Sequence, residues 1–521
     1  MAASRTTSNA LTRPLASDLV ADLTTSTGTT APVIAPFTGA VLHELPLSSA
    51  QDVRDAAAAA RIAQKSWREA GFAHRRAVLL KAHDLLLDRR DELLDILQTE
   101  NGKTRGHAFE ECAQAVQATR YYALIARRTL RTRGRRAGVP LMLRARVGYK
   151  PKCVVGVITP WNFPIALGIM DIVPALAAGN AVVQKADNQG ALSILASRRA
   201  FIDAGVPAAL WAVVAGDGEE VGNAVVDNSD YVAFTGSTAT GTRVGQRAMS
   251  TLTGASLELG GKNPLIVLDD VKPAAVASGV ACAVFSGSGQ VCVSIERIYV
   301  QRAVADAFTA ALVDYTKSMA LGPALDFSTD VGSLTSEAQL KRVQGHVDDA
   351  VRKGATVLAG GRARPDLGPY FFEPTILTGV TSEMECFTAE TFGPLVAIEV
   401  VDTEEEAVAT ANASEFGLNA SVFSGSLARA RRVAERLDAG SVNINDGYRA
   451  TFGSIDAPQG GMKRSGMGRR NGREGILRYV EARTVAENTG IMSLPRTGAE
   501  WARMAGLLVV LLKTLKALRL R

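Results

Sequence analysis

The chain is predicted to adopt an α/β fold of two doubly wound lobes. From Val154 onward, short apolar runs bounded by Gly and Pro (VVGVI, AVVQK, AVVAG, YVAFTG, LIVL) alternate with helical stretches at 193–204 and 274–285. Strand and helix in alternation build a mostly parallel sheet. A second alternation runs from Ile298 to Asn445, with ATVLAGG, LVAIEVV and GSVNIN as strands and EEEAVATANAS and LARARRVAERL as helices. With 521 residues the chain is too long for one ordinary core, so two lobes are the natural reading.

The start, MAASRTTSNALTRPLASD, is polar and lacks the apolar core of a secretory signal. Residues 57–97 place apolar side chains every three or four positions and read as amphipathic helices. The stretch 127–149 is basic and turn-rich and then alternates (LMLRARVGY), so it reads as a hairpin extending from the fold. The resulting division is 1–126 with 150–257 as a Rossmann-like cofactor domain and 258–452 as a catalytic domain. Segments 127–149 and 475–495 form a small β oligomerisation extension, and 496–521 a basic amphipathic helix. In that helix Trp501, Met504, Leu508, Leu511, Leu512, Leu515 and Leu518 recur at three or four. No apolar run reaches the ~20 residues of a membrane span.

Hydrophobic residues at 47% and charged residues at 21% supply cores and exclude a disordered chain. Nearly all of the net charge of +6 sits in the tail, where Arg496, Arg503, Lys513, Lys516, Arg519 and Arg521 face only Glu500. A nucleic-acid face on the body is therefore not expected. Five cysteines without a CxxC pair argue for reduced thiols in a cytosol-like compartment and against a metal ribbon.

Four stretches carry chemistry. In FTGSTATG (234–241) a strand meets a helix through Gly236, where free backbone N–H groups suit a phosphate, although a tight turn alone has the same pattern. In LELGGKNP (257–264) Glu258 stands among apolar neighbours, either as a general base of raised proton affinity or as a paired strand-end carboxylate. Cys292 follows the Gly-rich FSGSGQ, where a carbonyl could approach both sulfur and backbone N–H. Cys112, Cys282 and Cys386 read as small buried hydrophobes. In ITPWNFP (158–164) two prolines hold Asn162, whose amide suits a developing oxyanion; packing around Trp161 and Phe163 is the plainer reading.

Taken with GNAVVQK ending at Lys185, ETFGP (390–394), GSVNIN and GGMKRSGMGRRNG (460–472), these motifs resemble in order the aldehyde dehydrogenase superfamily over residues 30–490. The stretches DVGSLTSEAQLKRV, CVSIERIYV and GHVDDA are most similar to a bacterial subgroup called NADP-dependent succinate-semialdehyde dehydrogenase. The resemblance implies NAD(P)-dependent oxidation of an aldehyde to an acid, with Cys292 as nucleophile, Asn162 as oxyanion donor and Glu258 as the base that activates water. It implies Lys185 at the adenosine ribose, Gly236 and Ser237 at the pyrophosphate, Glu390 at the nicotinamide ribose, and Phe392 against the cofactor. Thr159, Pro160, Trp161 and Leu259 are expected to border it. A homodimer or homotetramer in the cytoplasm, holding no metal, is implied as well.

The chain departs from the family at informative places. Relatives preferring NAD carry Glu three positions after the Lys, whereas Asp187 and neutral Asn188 follow here, so NADP is expected to serve at least as well as NAD. Met170, Ser286 and Gly453 replace the two arginines and the serine with which many succinate-semialdehyde enzymes grip the remote carboxylate; Arg449 is the remaining cation. With Ile165, Leu167 and Val293, that lining favours medium-chain aliphatic or aromatic aldehydes, and succinate semialdehyde stays open. The tail, 501–521, either contacts a membrane peripherally or packs on protein. A silent nucleotide-binding or membrane-tethering protein would not be expected to keep both Cys292 and Glu258.

Overall fold

The structure is a computed structural model that describes residues 13–138, 142–490 and 495–519. The readings for 1–12, 139–141, 491–494 and 520–521, including Arg521 of the tail, lie outside the described residues. The first lobe holds β1 (Val154–Ile158), β2 (Ala181–Lys185), β3 (Trp211–Val214), β4 (Tyr231–Thr235) and β5 (Gly254–Glu258). The second holds β6 (Asn263–Val267), β7 (Ile295–Gln301), β8 (Thr356–Ala359), β9 (Thr375–Thr378), β10 (Leu395–Val401), β11 (Asn419–Phe423) and β12 (Ser441–Ile444). A short β13 (Gly466–Met467) returns to the first sheet, antiparallel to β5, and pairs Gly466 with Glu258.

Strand order is β13-β5-β4-β1-β2-β3 in the first sheet and β8-β9-β10-β7-β6-β11-β12 in the second. Apart from β13 and the β8–β9 pair, neighbours run parallel. Parallel strands are covered on both faces, which is why runs such as VVGVI and AVVQK lack polar alternation. Helices α1 (Pro164–Ala178), α2 (Ala191–Ala204), α3 (Thr238–Ser250) and α4 (Pro273–Phe285) follow their strands as crossovers. Every residue of α1 is buried. Helices Ala50–Glu69, Gly71–Asp88, Arg90–Asn101 and Arg105–Leu130 pack on the first lobe, each turning a stripe inward.

The helix ending at Leu130 runs past the boundary expected at 126, because Arg127 and Arg128 sit in its last turn, where cations suit the helix dipole. The extension proper is a three-stranded antiparallel sheet of Arg133–Arg135, Leu143–Pro151 and Val480–Asn488. Its outer strand Val480–Asn488 is exposed from Glu481 onward. The tail forms α5 (Gly498–Ala517), opened by a Thr497–Glu500 capping box and without a buried side chain. Among the described residues no helix is long and apolar enough to cross a membrane.

Candidate active site

The loop carrying Asn162 leaves β1 and enters α1 at Pro164, which fills the first helical turn where no N–H is needed. Beneath it lies a buried ion pair that sequence reading missed. Lys103 Nζ pairs with Glu111 and donates to the Asn162 carbonyl at 2.6 Å. Glu111 accepts from the N–H groups of Ile165 (2.7 Å) and Ala166 (3.2 Å), while Asn101 donates to the Trp161 carbonyl. The Asn162 Nδ2 group donates to the Gln290 carbonyl at 2.8 Å, which fixes the amide and leaves its second hydrogen available.

Ahead of Cys292 the backbone is left-handed at Gly287, Ser288 and Gly289, with φ of 58°, 57° and 69°. A Cβ at position 289 would stand 2.0 Å from the Gly393 carbonyl, so glycine is required there. Asn263 Nδ2 donates to the Cys292 carbonyl (2.8 Å) and the Ser294 carbonyl (2.7 Å), and Asn419 Nδ2 holds the Val293 carbonyl (2.8 Å). Burial pushes the Cys292 thiol up to about 12, helped by Glu390 and Glu258 and opposed by Arg470.

Glu258 ends β5, buried, and its Oε1 has no hydrogen-bond partner among the described residues. Burial pushes its carboxyl up to about 7, against the pull of Arg470, Arg478 and Arg469 and with a push from Asp171. A base that titrates near neutrality suits proton abstraction from water.

Two cavities meet at this point. Asn162, Leu167, Glu258 and Cys292 belong to the walls of both. The larger, about 220 Å³, is completed by Pro160, Trp161, Gly236, Ser237, Leu259 and the pair Glu390 and Phe392. Ser237 caps α3, whose N-terminus can receive a phosphate, and Gly236 has no room for a Cβ against the Phe234 ring at 2.7 Å. Glu390 accepts from Gly261 N–H at 2.9 Å, and burial pushes its carboxyl up to about 7. Phe392 meets Trp161 edge to face at 5.6 Å. Helix-end N–H groups, a carboxylate for hydroxyls and an aromatic wall fit a dinucleotide.

Lys185 is the last residue of β2, with Asp187 and Asn188 just past its end, and all three lie outside this lining. Burial lowers the Lys185 ammonium below its usual range. Asp187 caps its own turn through Gln189 N–H at 3.0 Å, and Asn188 Oδ1 accepts from Gly216 N–H at 2.9 Å. Thr159 does not face the cavity as expected; its hydroxyl is buried and accepts from Gln184 Nε2 at 3.1 Å.

The smaller cavity, about 60 Å³, is lined by Phe163, Met170, Val293, Leu418, Tyr448 and Phe452, with Thr451, Gln459 and Arg470 among its polar contributors. Met170 and Val293, expected at the substrate pocket, are among these lining residues. Ser286, Arg449, Gly453 and Ile165 are corrections. Ser286 faces Cys282 at 3.3 Å, Arg449 is drawn to Glu110 at 3.3 Å, Gly453 is exposed past the Arg449–Phe452 turn, and Ile165 belongs to the first lobe's core.

The match to the aldehyde dehydrogenase family model extends over residues 23–485. The chain belongs to the aldehyde dehydrogenase family. It is 51% identical over 450 residues to a Mycobacterium ulcerans protein named "putative succinate-semialdehyde dehydrogenase (NADP(+)) 2", covering 86% of this chain and 87% of that one. An NAD-dependent aldehyde dehydrogenase from Sinorhizobium meliloti superposes with a TM-score of 0.87 at 35% identity, covering 91% and 94% of the two chains. A betaine aldehyde dehydrogenase variant from Staphylococcus aureus, solved with NAD+, superposes at 0.86 with 31% identity over 91% and 96%. In this aldehyde dehydrogenase the two lobes therefore have the family's α/β fold. The motifs around Asn162, Glu258 and Cys292 converge on one crevice at the carboxyl ends of the first lobe's strands.

Proposed function

We propose that this aldehyde dehydrogenase works through a covalent thiohemiacetal on Cys292. One observation carries the reading: Asn162, Glu258 and Cys292 belong, with Leu167, to the walls of both cavities. The Cys292 sulfur adds to the aldehyde carbon, and the oxyanion takes the free Asn162 amide hydrogen together with the Cys292 backbone N–H. Gly236, Ser237, Glu390 and Phe392 would hold a nicotinamide dinucleotide, which would supply the hydride acceptor. The thioester left on Cys292 is cleaved by water that has given a proton to Glu258, which releases the acid and restores the thiolate. Cys292→Ala is expected to abolish acid formation while nucleotide binding survives; acid formation by that variant would remove Cys292 from its role.

For the cofactor we infer NADP at least as readily as NAD. Asn188 is neutral, Asp187 is occupied by its own turn, and the M. ulcerans relative's name prints NADP(+). For the substrate, that relative's name supports succinate semialdehyde. The apolar lining from Phe163 to Phe452 supports medium-chain aliphatic or aromatic aldehydes instead, since Arg449 is engaged by Glu110. A buried carboxylate without a cation costs several kcal/mol, so the first substrate requires Arg449 to be released or the unused Nη1 of Arg470 to meet it. A screen of both aldehyde classes with both cofactors decides between them.

The exposed edge strand Val480–Asn488 supports assembly into a homodimer or homotetramer, because a strand edge of this length left open on one side is normally covered. Basic α5, with Trp501, Leu507, Leu512 and Leu518 exposed, supports peripheral contact of a cytoplasmic enzyme with an anionic membrane surface.

A further inference from the structure

Beneath Glu258 lies a buried charged triad that none of the steps above uses. Asp171, in the middle of apolar α1, receives Arg470 through Nε (2.9 Å) and Nη2 (2.7 Å), and its Oδ1, which takes the Nε, also receives Arg478 Nη2. All three side chains are at most 7% exposed. Arg470 Nη2 also donates to Thr235 Oγ1 at 2.8 Å, and Thr235 is the β4 residue paired with Glu258. Arg478 Nη1 donates to Ser256 Oγ on β5 at 2.9 Å.

Arg470 is also part of the wall of the smaller cavity, beside Cys292 and Glu258, and its hydrogen bonds leave Nη1 unused. Two guanidinium groups against one carboxylate leave one net positive charge buried under the reacting groups. Such a residue is costly to bury, and a fold that needed only packing would be served by apolar side chains of similar volume.

We propose that Arg470, held by Asp171, is a positioning residue that brings a net positive charge to the floor of the reaction pocket and favours the anionic forms of Cys292 and Glu258. Charges of both signs face these two groups, and Arg470 acts in the same direction at each. Arg470 opposes Glu390 and Glu258 at the Cys292 thiol; at Glu258, Arg470, Arg478 and Arg469 oppose burial and Asp171. Arg470 touches neither sulfur nor carboxylate by a hydrogen bond, so it acts through the field it sets. The inference rests on the roles proposed for Cys292 and Glu258.

The test is the rate of Cys292 alkylation by iodoacetamide between about pH 7 and 9 in the full-length, nucleotide-free enzyme, read by mass spectrometry of the Cys292 peptide; below the titration of the thiol this rate is proportional to the thiolate fraction. Two variants are compared, Arg470→Met and Arg470→Lys. Arg470→Met leaves Asp171 facing Arg478 alone, which cancels the net charge, and is expected to lower the rate about tenfold, the loss of thiolate that one unit represents. Arg470→Lys keeps the charge but gives up the two-pronged hold on Asp171, and is expected to recover roughly half of the parental rate or more. The proposal is overturned if a folded Met variant keeps the parental rate while kcat falls equally at every pH, the mark of packing alone. A Lys variant slowed about tenfold overturns it too, and that comparison stands when the Met variant does not fold. Failure of the catalytic reading looks different: alkylation of Cys292 in the parent enzyme would leave turnover intact.

Discussion

Lys103 and Glu111 form a buried ion pair beneath the loop that carries Asn162, with Lys103 donating to the Asn162 carbonyl at 2.6 Å and Glu111 holding the first N–H groups of α1. The proposed oxyanion donor is thus fixed from below by a helix of the first lobe and from above by Gln290, two positions before the proposed nucleophile. Removing one partner of a buried pair leaves an uncompensated charge and costs about 3–5 kcal/mol. Glu111→Ala is expected to lower the unfolding free energy by that amount and to lower kcat more than KM, as denaturant titration and steady-state kinetics would show. An unchanged denaturation midpoint would contradict the pairing.

Glu258→Gln is expected to keep a burst of reduced nicotinamide and to lose turnover, because acylation proceeds without the deacylating base. In the parent enzyme Glu258 must be ionised to take a proton from water. Its carboxyl stands at about 7, so deacylation is expected to rise with pH through neutrality. The ionised fraction is roughly a tenth one unit below that value and nine-tenths one unit above. Stopped-flow single-turnover data across that range would test both points; loss of the burst in Glu258→Gln would move Glu258 to an earlier step.

The proposed catalytic set was legible because each member sits in a short local motif: a glycine-rich turn before Cys292, a lone carboxylate ending an apolar strand, an amide between prolines. The supporting shell was not, because its partners are far apart in the chain. Asp171 and Arg470 stand 299 positions apart, and Lys103 meets Asn162 across 59. The only trace in sequence is a carboxylate inside IALGIMDIVPAL, where an unpaired charge would be too costly to bury. Arg449 shows the opposite failure. Chain position made it the obvious cation for the pocket, yet Glu110, on the helix Arg105–Leu130, draws it aside.

NADP is expected to give kcat/KM at least equal to NAD. Replacing Asn188 by Glu is expected to lower kcat/KM for NADP by ~tenfold or more, about 1.4 kcal/mol, through repulsion of the 2′-phosphate. The NAD value serves as the control, because the Asn188 bond to Gly216 N–H is lost with both cofactors. A parent enzyme that prefers NAD by more than ~tenfold would assign the rejecting role to Asp187.

Substrate and tail are best tested together, because both bear on apolar aldehydes. The smaller cavity offers Phe163, Leu167, Met170, Val293, Leu418 and Phe452 to a chain, and the one cation among the residues of its wall, Arg470, is bound to Asp171 with only Nη1 unused. Each methylene that enters is expected to add about 0.8 kcal/mol, close to fourfold in kcat/KM, until the space is filled. Medium-chain aldehydes would then exceed succinate semialdehyde, and Glu110→Gln, which frees Arg449, would narrow the gap. Deleting residues 496–521 is expected to weaken binding to anionic liposomes while short aldehydes are still oxidised, because α5 has no buried side chain to anchor the core. A clear preference for succinate semialdehyde that is lost in Arg449→Ala would show that Arg449 leaves Glu110 to grip the carboxylate. Unchanged liposome binding by the truncated enzyme would instead assign the apolar side of α5 to contact with protein.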